Sequence, residues 1–176
     1  GMTPEQDLQN AQWLSASLKD RAENLMIVDL LRNDLSKTCD DVKVPELFGL
    51  QSFANVHHLV STITGELKPG KNALDLLSSS FPGGSITGAP KIRAMEIIEE
   101  LEPVRRSIYC GSIGYISACG TMDTNIAIRT LVYSGENIYC WGGGGITADS
   151  NVDKEYAESL AKVQVLMDTL EREFSR

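Results

Sequence analysis

Apolar residues recur at helical spacing along the first part of the chain. Thr3, Pro4 and Glu5 form a helix-start signal, and the apolar stripe behind them continues as far as Leu35. We expect the polar segment 20–24 to interrupt this helix. Its second half mixes apolar and charged positions in the way that is typical of a half-buried helix. The stripe begins with Leu8, Ala11, Leu14 and Leu18.

Strand-like patterns follow this helical stretch. Residues 42–67 are rich in β-branched and aromatic side chains punctuated by Pro45, Gly49 and Gly65, which predicts two or three strands. Residues 72–80 are typical of a short helix, which Phe81 and Pro82 end.

The second half of the chain predicts an antiparallel meander and a long final helix. Segments 107–117, 122–133 and 138–142 are strand-like and are separated by turn residues. Residues 150–174 return to helical spacing. Strands covered by helices predict an α+β fold.

Residues 81–103, FPGGSITGAPKIRAMEIIEELEP, read as a glycine-rich loop entering an amphipathic helix. Thr87 is a good N-cap for that helix, and Pro90 falls in its first turn. Backbone N–H groups exposed by the glycines, together with the helix dipole and Lys91, favour a bound anion. A plain helix start after a tight turn is the alternative. The segment lacks the Lys-Ser/Thr pair of a phosphate-binding P-loop.

Composition bounds the class of protein. The 176 residues are 42% hydrophobic, so residues 1–176 are expected to form a single domain. Sixteen basic against 24 acidic residues give a net charge of −8, which argues against nucleic acid and anionic membranes as partners. No apolar run has the length of a membrane span.

The four cysteines are scattered, without a CxxC pair. Reduced thiols in a cytoplasmic protein are therefore expected rather than disulfides or a zinc site. Gly1 before Met2 is interpreted as a residue left by cleavage of an expression tag. The cysteines are Cys39, Cys110, Cys119 and Cys140.

The final helix carries a candidate metal and carboxylate site. Glu155, Glu158 and Lys162 project from one helix face, which could bind a metal and a carboxylate together, or could be an ordinary ladder of surface ion pairs. The glycine run 142–145 just before this helix implies close backbone approach by a ligand or a neighbouring chain.

Three further positions have both a functional and an ordinary interpretation. Strand alternation places Arg129 on one sheet face, where its fork would match a planar carboxylate, or where it would simply face solvent. His57 and His58 must point to opposite sides of a strand, so only one can serve a given site. Glu23 would be a surface acid in most proteins.

Several segments together resemble the chorismate-utilising enzymes, which include anthranilate, aminodeoxychorismate, isochorismate and salicylate synthases. The resemblance runs in order over residues 19–170, and GGSITGAPK with HHLVSTITGEL is most similar to aminodeoxychorismate synthase component I. It implies an α+β chorismate-binding fold of which this chain is the C-terminal portion. The other segments are KDRAENLMIVDLLRND, CGSIGYIS, MDTNIAIRT and GGGGITADS.

The resemblance also implies a metal site. A magnesium ion would bridge the ring carboxylate of chorismate to Glu23 and Glu158, with Glu155 close by, and such oxygen ligands suit Mg²⁺.

The rest of the implied site would hold the substrate. Arg129 and Tyr109 match residues that hold the pyruvyl carboxylate of chorismate, and His58 matches a histidine proposed to assist proton movement. The ring pocket would include Thr87. Further carboxylate contacts would come from Gly143, Gly145 and Lys162.

The implied activity replaces the ring 4-hydroxyl of chorismate with ammonia delivered by a glutamine amidotransferase subunit, a step toward para-aminobenzoate and folate. Family members are longer, and the upstream lysine motif and second catalytic acid are not in this sequence. We therefore expect the isolated chain to bind poorly and to turn over little. A relative with anthranilate or isochorismate chemistry, and a non-catalytic assembly module that pairs with itself or with a separate N-terminal half, remain alternatives.

Overall fold

The computed structural model describes residues 3–53, 56–148 and 150–174, so Gly1 and its interpretation lie outside the described part. Its contacts divide the chain into two units. The first unit is Gly1–Gly84 with Ala89–Lys91, and the second is Ser85–Gly88 with Ile92–Arg176. The expectation of one domain over residues 1–176 stays a prediction.

Two helices open the first unit. Helix α1 spans Pro4–Ala16 with Thr3 as its N-cap, as the helix-start signal predicted, and α2 spans Leu18–Ser36. The prediction that residues 20–24 interrupt the helical stretch is wrong, because the break lies at Ser17. That residue has an extended backbone, returns its N–H to the carbonyl of Leu14 at 3.2 Å, and caps α2 with its side chain.

A two-stranded antiparallel ribbon packs against α2. Strand β1, Cys39–Ser52, pairs with β2, His57–Leu67, and their register shifts at three bulges along β1. Two strands were within the prediction for residues 42–67, which is confirmed.

Helix α3, Ala73–Ser80, confirms the short helix predicted over residues 72–80. Its N-cap is Asn72, whose side chain accepts hydrogen bonds from the first turn while Asp75 bonds back to the Asn72 N–H. This reciprocal pair is a capping box.

The glycine-rich loop forms a separate helical turn. Helix α4 is only Gly84–Thr87, and α5 spans Lys91–Leu101. Thr87 therefore ends α4, and the prediction that it caps the longer helix is wrong. The cause is Gly88, whose φ of +119° is incompatible with continuing the helix.

The rest of the second unit contains two β-hairpins and one long helix. Strands β3 and β4 form one antiparallel two-stranded sheet, and β5 and β6 form another. The predicted single meander is thus two separate sheets among the described residues. The final helix, α6, confirms the prediction for residues 150–174. The bounds are β3 Ser112–Ile116, β4 Met122–Ile126, β5 Val132–Ser134, β6 Asn137–Tyr139 and α6 Val152–Phe174.

The α+β class is confirmed by this set of helices and antiparallel strand pairs. Apolar side chains that become buried include Val28 in the first unit, and Ala127 and Val163 in the second. The four cysteines form no disulfide. Within the described ranges, none of the helices has both the length and the apolar character needed to cross a membrane.

Candidate functional site

The second unit contains a cavity of about 600 Å³ that is open to solvent on one side. Its walls come from α4, the segment after α5, the end of β4, the glycine run and α6. The structure brings to this one cavity five of the residues that the sequence singled out for substrate binding: Tyr109, Arg129, Gly143, Gly145 and Lys162. Their individual roles stay predictions.

Arg129 is presented to the cavity by a backbone turn and not by a strand. Strand β4 ends at Ile126, and Arg129 has a φ of +49°, so the prediction that strand alternation continues to Arg129 is wrong. The regular pairing of β3 with β4 ends at Ile126. Beyond it, hydrogen bonds of 2.9 Å join Ala127 to Cys110 and Gly111. Among the described residues, nothing forms a hydrogen bond or an ion pair with the Arg129 side chain. Its guanidinium is available to a ligand.

The ring of Tyr109 stacks on an aromatic neighbour, and its hydroxyl lies next to a glycine. Its ring lies parallel to Trp141, with centroids 6.3 Å apart and an angle of 9°, and Tyr139 stacks on Trp141 at 6.0 Å. A Cβ atom at Gly143 would lie 2.8 Å from the Tyr109 hydroxyl oxygen, so a larger residue there would require this hydroxyl to shift. Burial raises the pKa of Tyr109, which keeps the phenol protonated as a donor. The sequence analysis missed Trp141, although this aromatic side chain directly precedes the glycine run.

The predicted face of α6 does converge on the glycine run. The Lys162 ammonium donates to the carbonyl of Gly143 at 3.1 Å and to Glu158 Oε1 at 2.6 Å. Around the position of a Cβ on Gly144, Glu155 Oε2 lies at 3.3 Å, Glu158 Oε1 at 3.8 Å and Lys162 Nζ at 3.9 Å. The ion pair of the ordinary interpretation is therefore present, but it lies at a cavity wall.

The glycine run is explained in part by α6 itself. A Cβ at Gly142 would lie 2.7 Å from the carbonyl oxygen of Ser159, so the close approach predicted there is made by a helix of the same unit. At Gly145, by contrast, no heavy atom lies within 4 Å of the Cβ position. Neither Gly143 nor Gly145 donates a backbone hydrogen bond to the rest of the described chain. Their N–H groups can serve an anion.

The carboxylates of α6 have the chemistry of a partial magnesium site. Glu155 Oε1 accepts from the Ser150 hydroxyl at 2.7 Å and Glu158 Oε1 from Lys162, which leaves the Oε2 atom of each outside these bonds. Mg²⁺ is commonly bound by one or two carboxylates and retained waters, so this pair fits. The described ranges contain no group of three or more His, Cys, Asp or Glu side chains arranged to hold a metal. Glu23 lies on α2 in the first unit, 3.9 Å from the Lys19 ammonium.

The two adjacent histidines face opposite sides of β2, as predicted. His57 Nδ1 lies 2.8 Å from the Ser52 hydroxyl and its Nε2 lies 3.2 Å from Asp7 Oδ1, with only 10% of the side chain exposed. His57 is therefore tied into the first unit. His58 is exposed, with its ring edge toward Phe53, and its predicted role stays a prediction.

The lysine of the loop predicted to hold an anion already has a carboxylate partner. Lys91 forms an ion pair with the buried carboxylate of Asp34 and donates to the carbonyl of Ser80 at 3.2 Å. The prediction that Lys91 attracts an anion there stays a prediction. Thr87 is half-buried and is not itself in the cavity wall, whereas its neighbours Ser85 and Ile86 are.

Arg106 and Glu102 are cavity residues that the sequence analysis missed. The guanidinium of Arg106 donates to both carboxylate oxygens of Glu102 at 2.6–3.2 Å and to the carbonyl of Ile86 at 3.1 Å. The hydrogen bonds from Arg106 lower the pKa of Glu102, and the same bonds raise the pKa of Arg106. Glu102 and Arg106 are four positions apart, with Pro103 between them, and this spacing was the signal in the sequence that could have indicated their ion pair.

Comparison with known families gives one match over most of the chain. The sequence profile described as chorismate binding enzyme matches residues 1–168. Aminodeoxychorismate synthase component 1 of Salmonella typhimurium is 59% identical over 170 residues, which is 96% of this chain and 37% of that protein. Anthranilate synthase component 1 of Aquifex aeolicus is 47% identical over 97% of this chain and 35% of its own length.

Solved structures agree with the sequence comparisons. Anthranilate synthase component I from Streptococcus pneumoniae superposes with a TM-score of 0.85 at 41% identity, covering 91% of this chain and 37% of that one. The menaquinone-specific isochorismate synthase from Escherichia coli gives 0.84 at 26% identity, over 95% and 38%. The chain thus spans a little over a third of the length of these relatives.

Proposed function

Since this chain belongs to the chorismate binding enzyme family, we propose that it supplies the chorismate-binding portion of an aminodeoxychorismate synthase component I. The proposal is supported by identities of 57–59% with three bacterial proteins of that name over 96% of the chain. In this proposal the complete enzyme replaces the ring 4-hydroxyl of chorismate with ammonia from a glutamine amidotransferase subunit.

One observation carries the proposal: the cavity of the second unit brings the guanidinium of Arg129, which has no partner in the part of the chain that the structure describes, together with the glycine run and the ammonium of Lys162. Chorismate is a dicarboxylate, and a planar carboxylate is matched by the fork of Arg129. The hydroxyl of Tyr109 is a second donor for that carboxylate. In an acidic chain of net charge −8, this local arrangement supplies the attraction for an anion.

Magnesium is part of the proposal. Glu155 and Glu158 would contribute its carboxylate ligands, and the participation of Glu23 rests on the sequence resemblance. When bound, the cation would neutralise the ring carboxylate of chorismate. The direct contact of Lys162 with Glu158 keeps one carboxylate oxygen oriented, at 2.6 Å. His58 is proposed to assist proton movement.

A binding experiment tests the proposal. Ligand-observed NMR with millimolar chorismate and Mg²⁺ should detect weak binding to the 176-residue chain. Arg129→Gln should weaken it roughly 10- to 100-fold, the effect of losing hydrogen bonds between charged groups. Arg172→Gln, an exposed arginine on α6, is the matched control. Equal binding by wild type and Arg129→Gln would refute the assignment.

Product analysis decides the chemistry. A full-length enzyme that contains these residues, assayed with chorismate, Mg²⁺ and ammonium, should give aminodeoxychorismate by mass spectrometry. Anthranilate or isochorismate would instead place the chain with those relatives. The isolated chain should give little product. Robust turnover by the isolated chain would show that the upstream lysine motif is not needed.

A second candidate function, an assembly module that pairs with another chain, is favoured by exposed apolar side chains on a two-stranded sheet. All five residues of β3 are exposed, including Ile113 at 43% and Tyr115 at 59%. Exposed apolar strands with free edges favour pairing. Sedimentation velocity at increasing concentration should then show association, and the double variant I113K/Y115K should reduce it. A concentration-independent monomer would exclude self-pairing.

A further inference from the structure

The cavity of the second unit contains two arginines in different electrostatic states. Arg129 has no protein partner among the described residues, whereas Arg106 is paired with Glu102 through three hydrogen bonds. A guanidinium that is already matched to a carboxylate in this bidentate way has little capacity left for a second anion. The two cations of the cavity wall therefore have different tasks.

The Nη1 nitrogen of Arg106, which also lies 3.8 Å from the Cys110 sulfur, is directed at the backbone of α4. It donates to the carbonyl of Ile86 at 3.1 Å, while Nε and Nη2 face Glu102. Only 26% of the Arg106 side chain is exposed, so this bond is partly shielded from water.

Helix α4 needs such an external bond. It has four residues, and a single helical turn fixes several backbone dihedrals for one hydrogen bond, so it is not stable by itself. Gly88, with its φ of +119°, separates α4 from α5 and prevents the turn from being continued as part of the longer helix. A charged donor on the Ile86 carbonyl supplies part of what the turn lacks.

We infer that Arg106 is a positioning residue, which holds α4, and with it Thr87 and the cavity wall at Ser85 and Ile86, while Glu102 fixes the guanidinium for that task. Arg106 does not bind the substrate anion. This inference rests on the proposed function for its consequence in chorismate binding, but the contact itself is tested without a ligand.

Hydrogen exchange on the free chain tests the contact. Peptides covering residues 84–88 should exchange about tenfold faster in Arg106→Gln, the effect of losing a hydrogen bond from a charged donor. Arg106→Lys should not restore protection, because an ammonium cannot serve Glu102 and Ile86 with the same fork. Arg105→Gln is the matched control, since Arg105 is 89% exposed and contacts only Glu99 at 3.4 Å. Unchanged exchange in Arg106→Gln, with a folded second unit, would overturn the inference.

Chorismate binding separates positioning from direct recognition. Glu102→Gln releases the guanidinium: if Arg106 only positions α4, chorismate should bind severalfold more weakly, whereas a direct anion-binding role would make it bind more tightly. The affinity ratio of chorismate to its neutral dimethyl ester gives a second readout. This ratio should be unchanged in Arg106→Gln and should fall toward one in Arg129→Gln. A fall of this ratio in both variants would show that Arg106 binds the substrate anion directly.

Failure of the proposed function has a different signature. If the wild-type chain binds no chorismate at millimolar concentration, the binding assignment fails, and the hydrogen-exchange comparison alone decides the role of Arg106.

Discussion

Asp34 is a buried charge whose partners lie on other parts of the first unit. Only 3% of its side chain is exposed, and it accepts a hydrogen bond from Lys37 at 2.8 Å and another from Lys91. Burial by itself would raise the pKa of Asp34, but the two ammonium groups outweigh it and hold the pKa below its usual value. Such a pair fixes Lys91 against α2 within the first unit.

Removing one partner of this pair should be costly. Lys91→Met leaves the Asp34 carboxylate buried with only the exposed Lys37, so the free energy of unfolding of the first unit should fall by about 3 kcal/mol in urea titrations. Lys71→Met removes an exposed pair with Asp75 and should change stability by less than about 1 kcal/mol. Equal losses in the two variants would contradict this account.

Cys119 is an exposed cysteine with a lowered pKa. Hydrogen bonds from the hydroxyls of Ser117 and Thr121 lower its pKa to about 7. The lowered pKa favours the reactive thiolate form of this exposed side chain near neutral pH. The rate of iodoacetamide labelling at Cys119 should rise with pH through a midpoint near 7, and Ser117→Ala should move that midpoint upward. If the midpoint did not move in Ser117→Ala, the hydrogen bond from Ser117 would not be a cause of the lowered pKa of Cys119.

At the scale of the element, the glycine run and α6 form one structure. The run passes so close to α6 that Gly142 lies against the Ser159 carbonyl, while Gly144 faces the carboxylates and the ammonium of the helix. Glycine is required at the first position by packing, and at the second it leaves room for charged groups. The sequence showed that the four glycines are consecutive, but it did not show that their surroundings differ.

Alanine substitutions distinguish these glycines. Gly142→Ala places a Cβ 2.7 Å from a backbone oxygen that cannot move freely, so it should destabilise the second unit by about 1–3 kcal/mol. Gly145→Ala meets no atom within 4 Å and should leave the thermal unfolding temperature nearly unchanged. If both variants unfolded at the wild-type temperature, the packing argument would be wrong.

Helices were predicted more accurately than strands. The periodicity of α6 and the cap of α1 are local properties, and both were predicted within a few residues. The strand segment 122–133 was predicted as continuous, whereas β4 ends at Ile126 and Arg129 turns into the left-handed region. Strand length depends on the partner that supplies hydrogen bonds, which an apolar run does not specify.

Across the whole molecule, acid should weaken both units through paired carboxylates. Asp34 in the first unit and Glu102 in the second have lowered pKa values, so the unfolded chain binds more protons than the folded chain as pH falls below about 4. Their contributions are present above the unfolded pKa and are lost as pH falls through the folded pKa. Chemical unfolding from pH 7 to pH 3 should show this loss.

Variants assign the loss to these two groups. Asp34→Asn and Glu102→Gln should each lower stability at pH 7 and flatten its dependence on pH below 4. Asp29→Asn, which removes an exposed carboxylate of α2 beside Arg32, is the control and should change stability at pH 7 by less than about 1 kcal/mol. If stability depended on pH in Asp34→Asn as steeply as in the wild type, the Asp34 carboxyl would have the same pKa in the folded and the unfolded chain.

The sequence by itself determined the α+β class, the short helix α3, the final helix and the family, because periodicity and contiguous motifs are properties of neighbouring positions. It also selected Tyr109, Arg129, Gly143, Gly145 and Lys162, which the fold gathers at one cavity. Only the tertiary structure decided which cations are neutralised. Lys91 is paired with a carboxylate 57 positions away, and whether a charge is matched or open to a ligand depends on distances in space that spacing along the chain does not fix.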